Sequence, residues 1–167
     1  DQNILKDLLK DITEFMEKNK IKKPLALKVS PDINDKEIEN IIELVKKFGI
    51  NGVIVSNTTD KNRENLREVQ KHEAGGLSGE PLNEISNILI KKFYRELKGT
   101  ITIIGVGGVN SGLTAYEKLK SGANLLQLYT GMVYEGPGVV KKIKTELIDI
   151  LTNEKIKNVS EIVGTGS

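Results

Sequence analysis

Two stretches of this sequence could bind an anionic group, and each follows an apolar run. Ile101–Ile104 is β-branched throughout and uncharged, which predicts a buried parallel strand. It continues into Gly105-Val106-Gly107-Gly108-Val109-Asn110-Ser111, where glycine lets backbone N–H groups approach a ligand and Ser111 can cap a helix. Because a helix N-terminus carries partial positive charge, the stretch predicts a phosphate cradle.

The second stretch lies one unit later, where Leu125–Tyr129 ends in Thr130-Gly131. A glycine pair alone is as often a tight strand-to-helix turn with positive φ as a phosphate site. In parallel barrels, however, the loops after strands seven and eight often share one phosphate site. Two such loops on consecutive strands therefore favour a phosphate site. They also indicate that these strands are the last two of a barrel.

A lysine interrupts the first predicted strand. Leu25–Ser30 lies between Pro24 and Pro31 and has Lys28 near its centre. An unpaired ammonium in an apolar core is costly, so this side chain must be desolvated, paired or directed into a cavity. The alternative is an edge-strand lysine whose ammonium reaches water.

Polar side chains follow the second predicted strand. Gly52–Val55 runs into Ser56-Asn57-Thr58-Thr59. In α/β barrels the carboxyl ends of the strands face the ligand, so this cluster predicts a binding role. Asn57 could instead cap the loop backbone.

The connection from Asp60 to about Pro81 is long and polar, which is typical of a functional loop. It ends in Ala74-Gly75-Gly76-Leu77-Ser78-Gly79, whose glycines could contact a flat ligand or simply turn the chain. The one histidine, His72, lies between two charged residues, which predicts a solvated side chain rather than a base or a metal ligand. With one histidine and no cysteine, no metal site is predicted.

The composition is that of an α/β domain. The chain has 167 residues, of which 38% are hydrophobic and 29% charged, and its net charge is +2. A complete eightfold barrel needs roughly 250 residues, so a barrel here must be incomplete unless the fold is a smaller open sheet. Lysines alternate with glutamates along the predicted helices, which indicates solvated faces and no nucleic-acid surface. No apolar run has the length of a membrane helix, and the first residues are not a signal peptide.

Alternating helices and strands carry these motifs in the order α-βα-βα-βα-βα. A helix over Asn3–Lys20 comes first, with the apolar stripe Ile4, Leu5, Leu8, Leu9, Ile12, Phe15 and Met16. Later helices begin after Asn34, Leu82, Ser111 and Gly138, the third with Leu113, Tyr116 and Leu119 on its apolar face, and a short turn is predicted at 159–163. Because the chain opens on a helix and without Met, we expect a fragment of a longer barrel.

Five separated strings, in order, resemble the carboxyl-terminal half of the class 2, quinone-linked dihydroorotate dehydrogenases. They are LALKVSPD, VIVSNTT, GGLSGEPL, IIGVGGVNSG and QLYTGMVYEGP, and the resemblance spans essentially the whole chain. The strings NTT and GGLSG favour class 2 over the soluble class 1 enzymes. The resemblance implies a TIM (β/α)8 barrel, of which residues 1–167 would supply roughly the last four βα units.

The resemblance also implies FMN as cofactor and oxidation of dihydroorotate to orotate in pyrimidine biosynthesis. Lys28 would lie against the flavin ring, where its ammonium could stabilise the negative charge that accompanies hydride uptake. Asn57 and Thr58 match the substrate-binding pair. The flavin-binding positions are matched by Ser56, Gly79, Gly108, Tyr129 and Thr130, with Ser78 and Gly107 as adjacent candidates.

The family's catalytic base is a serine on an earlier loop, which this sequence lacks, and Ser78 is not a substitute for it. We therefore expect no catalytic residue in this chain and no activity from it alone. The implied partners are ubiquinone and a membrane reached through an amino-terminal segment, at the mitochondrial inner membrane in a eukaryote or the cytoplasmic membrane in a bacterium. Two alternatives stay open, another FMN- or phosphate-binding barrel enzyme and a non-catalytic half-barrel that self-associates.

Overall fold

The computed structural model describes residues 2–61, 63–64, 66–67 and 69–167. Asp1, Asn62, Asn65 and Glu68 lie outside the description, and the last three belong to the long loop predicted between Asp60 and Pro81.

The chain alternates helices with short strands, as the sequence predicts. The elements are α1 (Gln2–Lys18), β1 (Ala26–Val29), α2 (Asp35–Lys47), β2 (Gly52–Val55), α3 (Asn83–Leu97), β3 (Thr102–Val106), α4 (Gly112–Lys120), β4 (Leu125–Gln127), α5 (Thr130–Glu135) and α6 (Val139–Asn153). Short 3-10 turns cover Val69–His72, Glu80–Leu82 and Val159–Ile162. The sequence did not predict α5, because six residues are too few to show a helical stripe.

Local signals set the helix ends. Asn34 caps α2 in a capping box with Glu37, and Gly49 ends the helix with a φ of +62°. Ser111 caps α4 as predicted, accepting a hydrogen bond from the Thr114 amide.

The four strands form one parallel sheet in the order β1-β2-β3-β4. Lys28 pairs in register with Ile54, Ile54 with Ile104, and Ile104 with Leu125. These residues therefore lie in one row on the same face of the sheet.

The two faces of the sheet differ in burial. The main core lies between the sheet and helices α2 and α3 and includes Val53, Val55, Ile90, Phe93 and Ile103. On the opposite face, Ile54 and Ile104 are half-buried and Leu125 is 57% exposed. The face that would line a barrel is therefore open in the described part of the chain.

Two predicted apolar faces are only partly covered. In α1, Leu9 is buried, whereas Ile4, Leu8 and Phe15 are exposed, because the described contacts of this helix are mainly with α2. In α4, Leu113 is 57% exposed while Tyr116 and Leu119 are buried. No helix in the described ranges is both long enough and apolar enough to cross a bilayer.

Candidate functional site

The carboxyl ends of the four strands surround one cavity of about 830 Å³. Such a volume is typical of a pocket for a small molecule or cofactor. Every site residue predicted from the sequence borders it, namely Lys28, Ser56, Asn57, Thr58, Ser78, Gly79, Gly107, Gly108, Tyr129 and Thr130. The structure thus brings together residues more than 100 positions apart, whose individual roles stay predictions.

Lys28 is exposed on the open face of β1, an edge strand of the described sheet, and borders the cavity. Among the described residues, no carboxylate lies within salt-bridge distance of its ammonium. The sequence left two interpretations of Lys28 open, a side chain directed into a cavity or a lysine on an edge strand, and the structure shows both features. Its charge is therefore accessible to a ligand.

The loop after β2 presents two side chains and buries two others. Asn57 and Thr58 are exposed, whereas Ser56 and Thr59 are buried. The Ser56 amide donates to Val106 O at 3.2 Å, and the Asn57 amide donates to Val29 O at 2.8 Å. The loop is thus held to both neighbouring strands, which fixes the direction of Asn57 and Thr58.

A buried hydroxyl fastens the far end of this loop. Thr59 Oγ1 donates to Asp32 Oδ1 at 2.6 Å, and the Thr59 backbone exchanges two hydrogen bonds with Leu77. Asp32 and Thr59 therefore join the loops after β1 and β2 and the glycine-rich segment. Sequence reasoning grouped Thr59 with the binding residues and missed Asp32, whose position in SPD after a strand was the available signal.

The glycines after β3 have the geometry of both predicted roles, a tight turn with positive φ and an anion contact through backbone N–H groups. Gly107 has a φ of +111° and Gly108 a φ of +71°, so the chain turns there in a conformation that favours glycine. A Cβ on Gly108 would lie 2.5 Å from Asn83 Cβ, which also demands glycine. In the described part of the chain, the backbone N–H groups of Gly108 and Val109 have no acceptor, and both residues border the cavity. They are therefore available to an anion.

The N-terminus of α4 does not take part in this site. Glu146 in α6 accepts a hydrogen bond from the Gly112 amide at 2.6 Å, and the Ser111 side chain occupies the Thr114 amide. Neither Ser111 nor Gly112 borders the cavity. The predicted contribution of this helix terminus to a phosphate cradle is therefore wrong, because a carboxylate of the protein already satisfies it.

The glycine-rich segment before α3 packs against the loops after β2 and β4. A Cβ on Gly79 would lie 2.9 Å from Thr130 Cγ2, and a Cβ on Gly76 would overlap Thr58. The Thr130 hydroxyl donates to Ser78 Oγ at 2.9 Å. Glycine in this segment therefore permits close packing of three loops around the cavity.

The long loop adds cations that the sequence did not single out. Arg63, Arg67 and Lys71 border the cavity. The Arg63 guanidinium donates to Lys71 O at 3.1 Å and to Glu73 O at 2.6 Å, so it also folds the loop on itself. These residues were missed because the loop has no periodicity.

His72 is exposed and lies at a second cavity of about 780 Å³, formed by the loop itself. Across the described ranges, no group of three or more His, Cys, Asp or Glu side chains is arranged to hold a metal ion.

Comparison with known proteins identifies the relatives of this chain. The sequence model of the family described as dihydroorotate dehydrogenase matches residues 1–151. A dihydroorotate dehydrogenase (quinone) from Trichodesmium erythraeum is 41% identical over 95% of this chain and 44% of its own length. One from Christiangramia forsetii is 43% identical over 89% of this chain and 44% of its own length. The predicted resemblance to the quinone-linked class is confirmed.

Solved structures give the same result. A crystal structure of DHODH from Eimeria tenella in complex with ferulenol matches with a TM-score of 0.91 and 34% identity, covering 99% of this chain and 48% of that one. The prediction of a partial α/β barrel is confirmed. The chain spans less than half the length of these relatives.

Proposed function

The chain belongs to the dihydroorotate dehydrogenase family, and from this premise we propose that it is the carboxyl-terminal half of an FMN-binding (β/α)8 barrel. The whole enzyme would oxidise the CH–CH group of dihydroorotate to orotate, in pyrimidine biosynthesis, with a quinone as acceptor. The observation that supports this is the convergence of Lys28, Asn57, Gly108 and Thr130 on one cavity. The polypeptide with the rest of the barrel is called the complete polypeptide below.

The hydrogen-bond donors and the positive charge at the cavity suit FMN. The backbone N–H groups of Gly108 and Val109, together with the first residues of α5, would hold the phosphate. Lys28 would place a positive charge beside the ring, on the open face of the sheet. When bound, FMN would supply the hydride acceptor of the reaction.

Asn57 and Thr58 suit the polar edge of orotate. The amide of Asn57 can donate and accept hydrogen bonds at once, and the Thr58 hydroxyl can do the same. Both side chains are exposed at the cavity, while Val29 O holds the Asn57 amide, and Val106 and Asp32 hold the flanking residues Ser56 and Thr59. Because the loop is fixed before substrate arrives, little ordering has to accompany binding.

Proton removal from dihydroorotate requires a base that we expect from the other half of the barrel. Ser78 borders the cavity, but we do not assign it as this base. Its Oγ accepts a hydrogen bond from Thr130 and contributes to the packing of the two loops. The chain alone would therefore provide only part of the cofactor site and would not oxidise dihydroorotate.

The electron acceptor would bring the complete polypeptide to a membrane. The relatives' name specifies a quinone, and quinones are membrane lipids. A segment preceding this chain would provide the attachment, at the cytoplasmic membrane of a bacterium or the mitochondrial inner membrane of a eukaryote.

The experiment is to purify the complete polypeptide, record its absorption spectrum, and assay orotate formation with a soluble ubiquinone analogue. We expect a flavin spectrum, FMN on extraction, and turnover that requires the quinone. A colourless protein that does not bind added FMN would refute the proposal and favour a barrel enzyme that binds another phosphate.

A second candidate function rests on the open face of the sheet. Strands β1 and β4 are the edges of the described sheet, and Leu125 in β4 is 57% exposed. Exposed edges pair readily with other chains, so a half-barrel on its own could act as a self-associating, non-catalytic unit.

A further inference from the structure

One lysine lies in the core rather than on a helix surface. Lys118 in α4 has 0% exposure, and its ammonium donates to Asn87 Oδ1 at 2.7 Å and to Ser86 Oγ at 3.2 Å. Among the described residues, no carboxylate lies within salt-bridge distance of it. Burial lowers the pKa of Lys118 to about 7. The prediction that the helix lysines occupy solvated faces is wrong for this residue.

The Ser86 hydroxyl extends this contact to the site. Ser86 Oγ lies 2.6 Å from Val106 O and 3.3 Å from Val55 O. Val106 O also accepts a hydrogen bond from the Ser56 amide at 3.2 Å. A continuous set of hydrogen bonds therefore runs from Lys118 through Ser86 and Val106 to Ser56.

Two members of this set, Val106 and Ser56, lead directly into the binding loops. Val106 immediately precedes the glycines Gly107 and Gly108, and Ser56 immediately precedes Asn57 and Thr58. The hydrogen bond between the Ser56 amide and Val106 O therefore joins the chain at the start of the proposed cofactor loop to the chain at the start of the proposed substrate loop.

A glycine in β3, Gly105, leaves the space that the Lys118 side chain occupies. A Cβ on Gly105 would lie 2.8 Å from both Lys118 Cγ and Lys118 Cδ. Glycine inside a strand weakens it, and a buried charge is usually less stabilising than an apolar side chain of the same volume. Packing alone would therefore favour an apolar residue at position 118.

We propose that Lys118 is a positioning residue for the cofactor and substrate loops, acting through Ser86. By donating to Ser86 Oγ, the ammonium occupies a lone pair and directs the single hydroxyl hydrogen to Val106 O rather than to the more distant Val55 O. Val106 O then holds the Ser56 amide and the hydroxyl together, which sets the distance between the two loops. The inference rests on the proposed FMN and substrate sites.

The test compares Lys118→Met and Ser86→Ala in the complete polypeptide, with Lys120→Met as the control. Methionine keeps an apolar stem beside Gly105 and removes the donor. Lys120 is on the same helix, and its ammonium lies over the Tyr116 ring, away from Ser86. The readouts are the Kd for FMN from fluorescence quenching, the thermal midpoint of the apoprotein, and exchange of the hydrogen-bonded amides of Ser56 and Asn57.

We expect Lys118→Met and Ser86→Ala each to weaken FMN binding about tenfold and to speed exchange of the Ser56 and Asn57 amides. The thermal midpoint of Lys118→Met should not fall below that of the wild type. Because both act on one relay, the double variant should lose about as much affinity as either single variant. Lys120→Met should match the wild type.

Three results would overturn the inference. Wild-type affinity and wild-type exchange in Lys118→Met would limit Lys118 to packing. The same conclusion follows if Lys118→Met does not fold while Ser86→Ala binds FMN normally. If the wild-type protein itself does not bind FMN, the proposed function fails and the inference fails with it, whereas the first two results leave the proposed function intact.

Discussion

Gly105 in β3 and Lys118 in α4 are in direct contact, and a Cβ on the glycine would lie 2.8 Å from the lysine stem and 3.0 Å from Ala123 Cβ. The buried strand and the buried lysine are therefore matched in shape, and neither can change without affecting the other.

The first prediction follows from this contact. Gly105→Ala should lower the free energy of unfolding by about 1–3 kcal/mol, because the new methyl group overpacks a site with no room to adjust. Chemical denaturation of the complete polypeptide measures the change. Gly138→Ala is the control, since Gly138 has a φ of −62° and open space around its Cβ position. A loss in Gly138→Ala equal to that in Gly105→Ala would contradict the packing argument.

The second prediction concerns pH. Burial lowers the pKa of Lys118 from 10.5 to about 7, so between these values the unfolded chain binds more protons than the folded one. Folding stability should therefore rise with pH across this interval, by at most about 1.4 kcal/mol per pH unit from this group. Lys118→Met should lack this pH dependence. Its free energy of unfolding should therefore exceed that of the wild type by the largest amount at pH 7 and below.

Urea denaturation of the apoprotein from pH 6 to pH 9 tests this. The difference in free energy of unfolding between Lys118→Met and the wild type should shrink as pH rises. Lys120→Met should keep the wild-type rise. A constant difference between Lys118→Met and the wild type would show that the buried ammonium keeps its charge throughout the range.

The third prediction concerns Lys28. Lys28→Ala in the complete polypeptide should slow flavin reduction by dihydroorotate by about 100-fold, because a positive charge aimed at developing negative charge is lost. The thermal midpoint should change little, since Lys28 is exposed and forms no ion pair with any of the described residues. Stopped-flow absorbance gives the rate. Lys22→Ala, in the exposed segment before β1, is the control, and an unchanged rate in Lys28→Ala would remove Lys28 from the reaction.

The fourth prediction concerns the open face of the sheet. The 167-residue chain produced alone should sediment as dimers or larger species, because β1 and β4 expose unpaired edges. Leu125→Lys should shift the distribution toward monomer by placing charge on that face. Leu113→Lys is a matched control, since both leucines are 57% exposed and Leu113 lies on α4. Monomeric wild-type chain at micromolar concentration would exclude self-association.

Much of the fold could be predicted from local sequence patterns. The capping signals at Asn34 and Ser111 predicted the starts of α2 and α4, and the β-branched runs predicted the bounds of β2 and placed those of β3 within two residues. The positions where strands end also predicted the site, because parallel strands bring their carboxyl ends to one edge of the sheet. All of these signals lie within a few residues of the feature that they predict.

The remaining features depend on partners distant in sequence. Nothing near Gly112 indicates that Glu146, 34 residues later, occupies its amide. Nothing near Asp32 indicates a bond to Thr59, 27 residues later. For such contacts, local periodicity carries no information.

By itself, the sequence determined the alternation of helices and strands, the cluster of glycine and hydroxyl residues at the strand ends, and the family. Only the tertiary structure decided which glycines border the cavity and which, like Gly105, make room for a neighbour, and that Lys118 is buried while Lys28 is exposed. The physical reason is that a residue's charge and size are properties of its type, whereas its burial and its hydrogen-bond partners are set by segments that meet only when the sheet and its helices have packed.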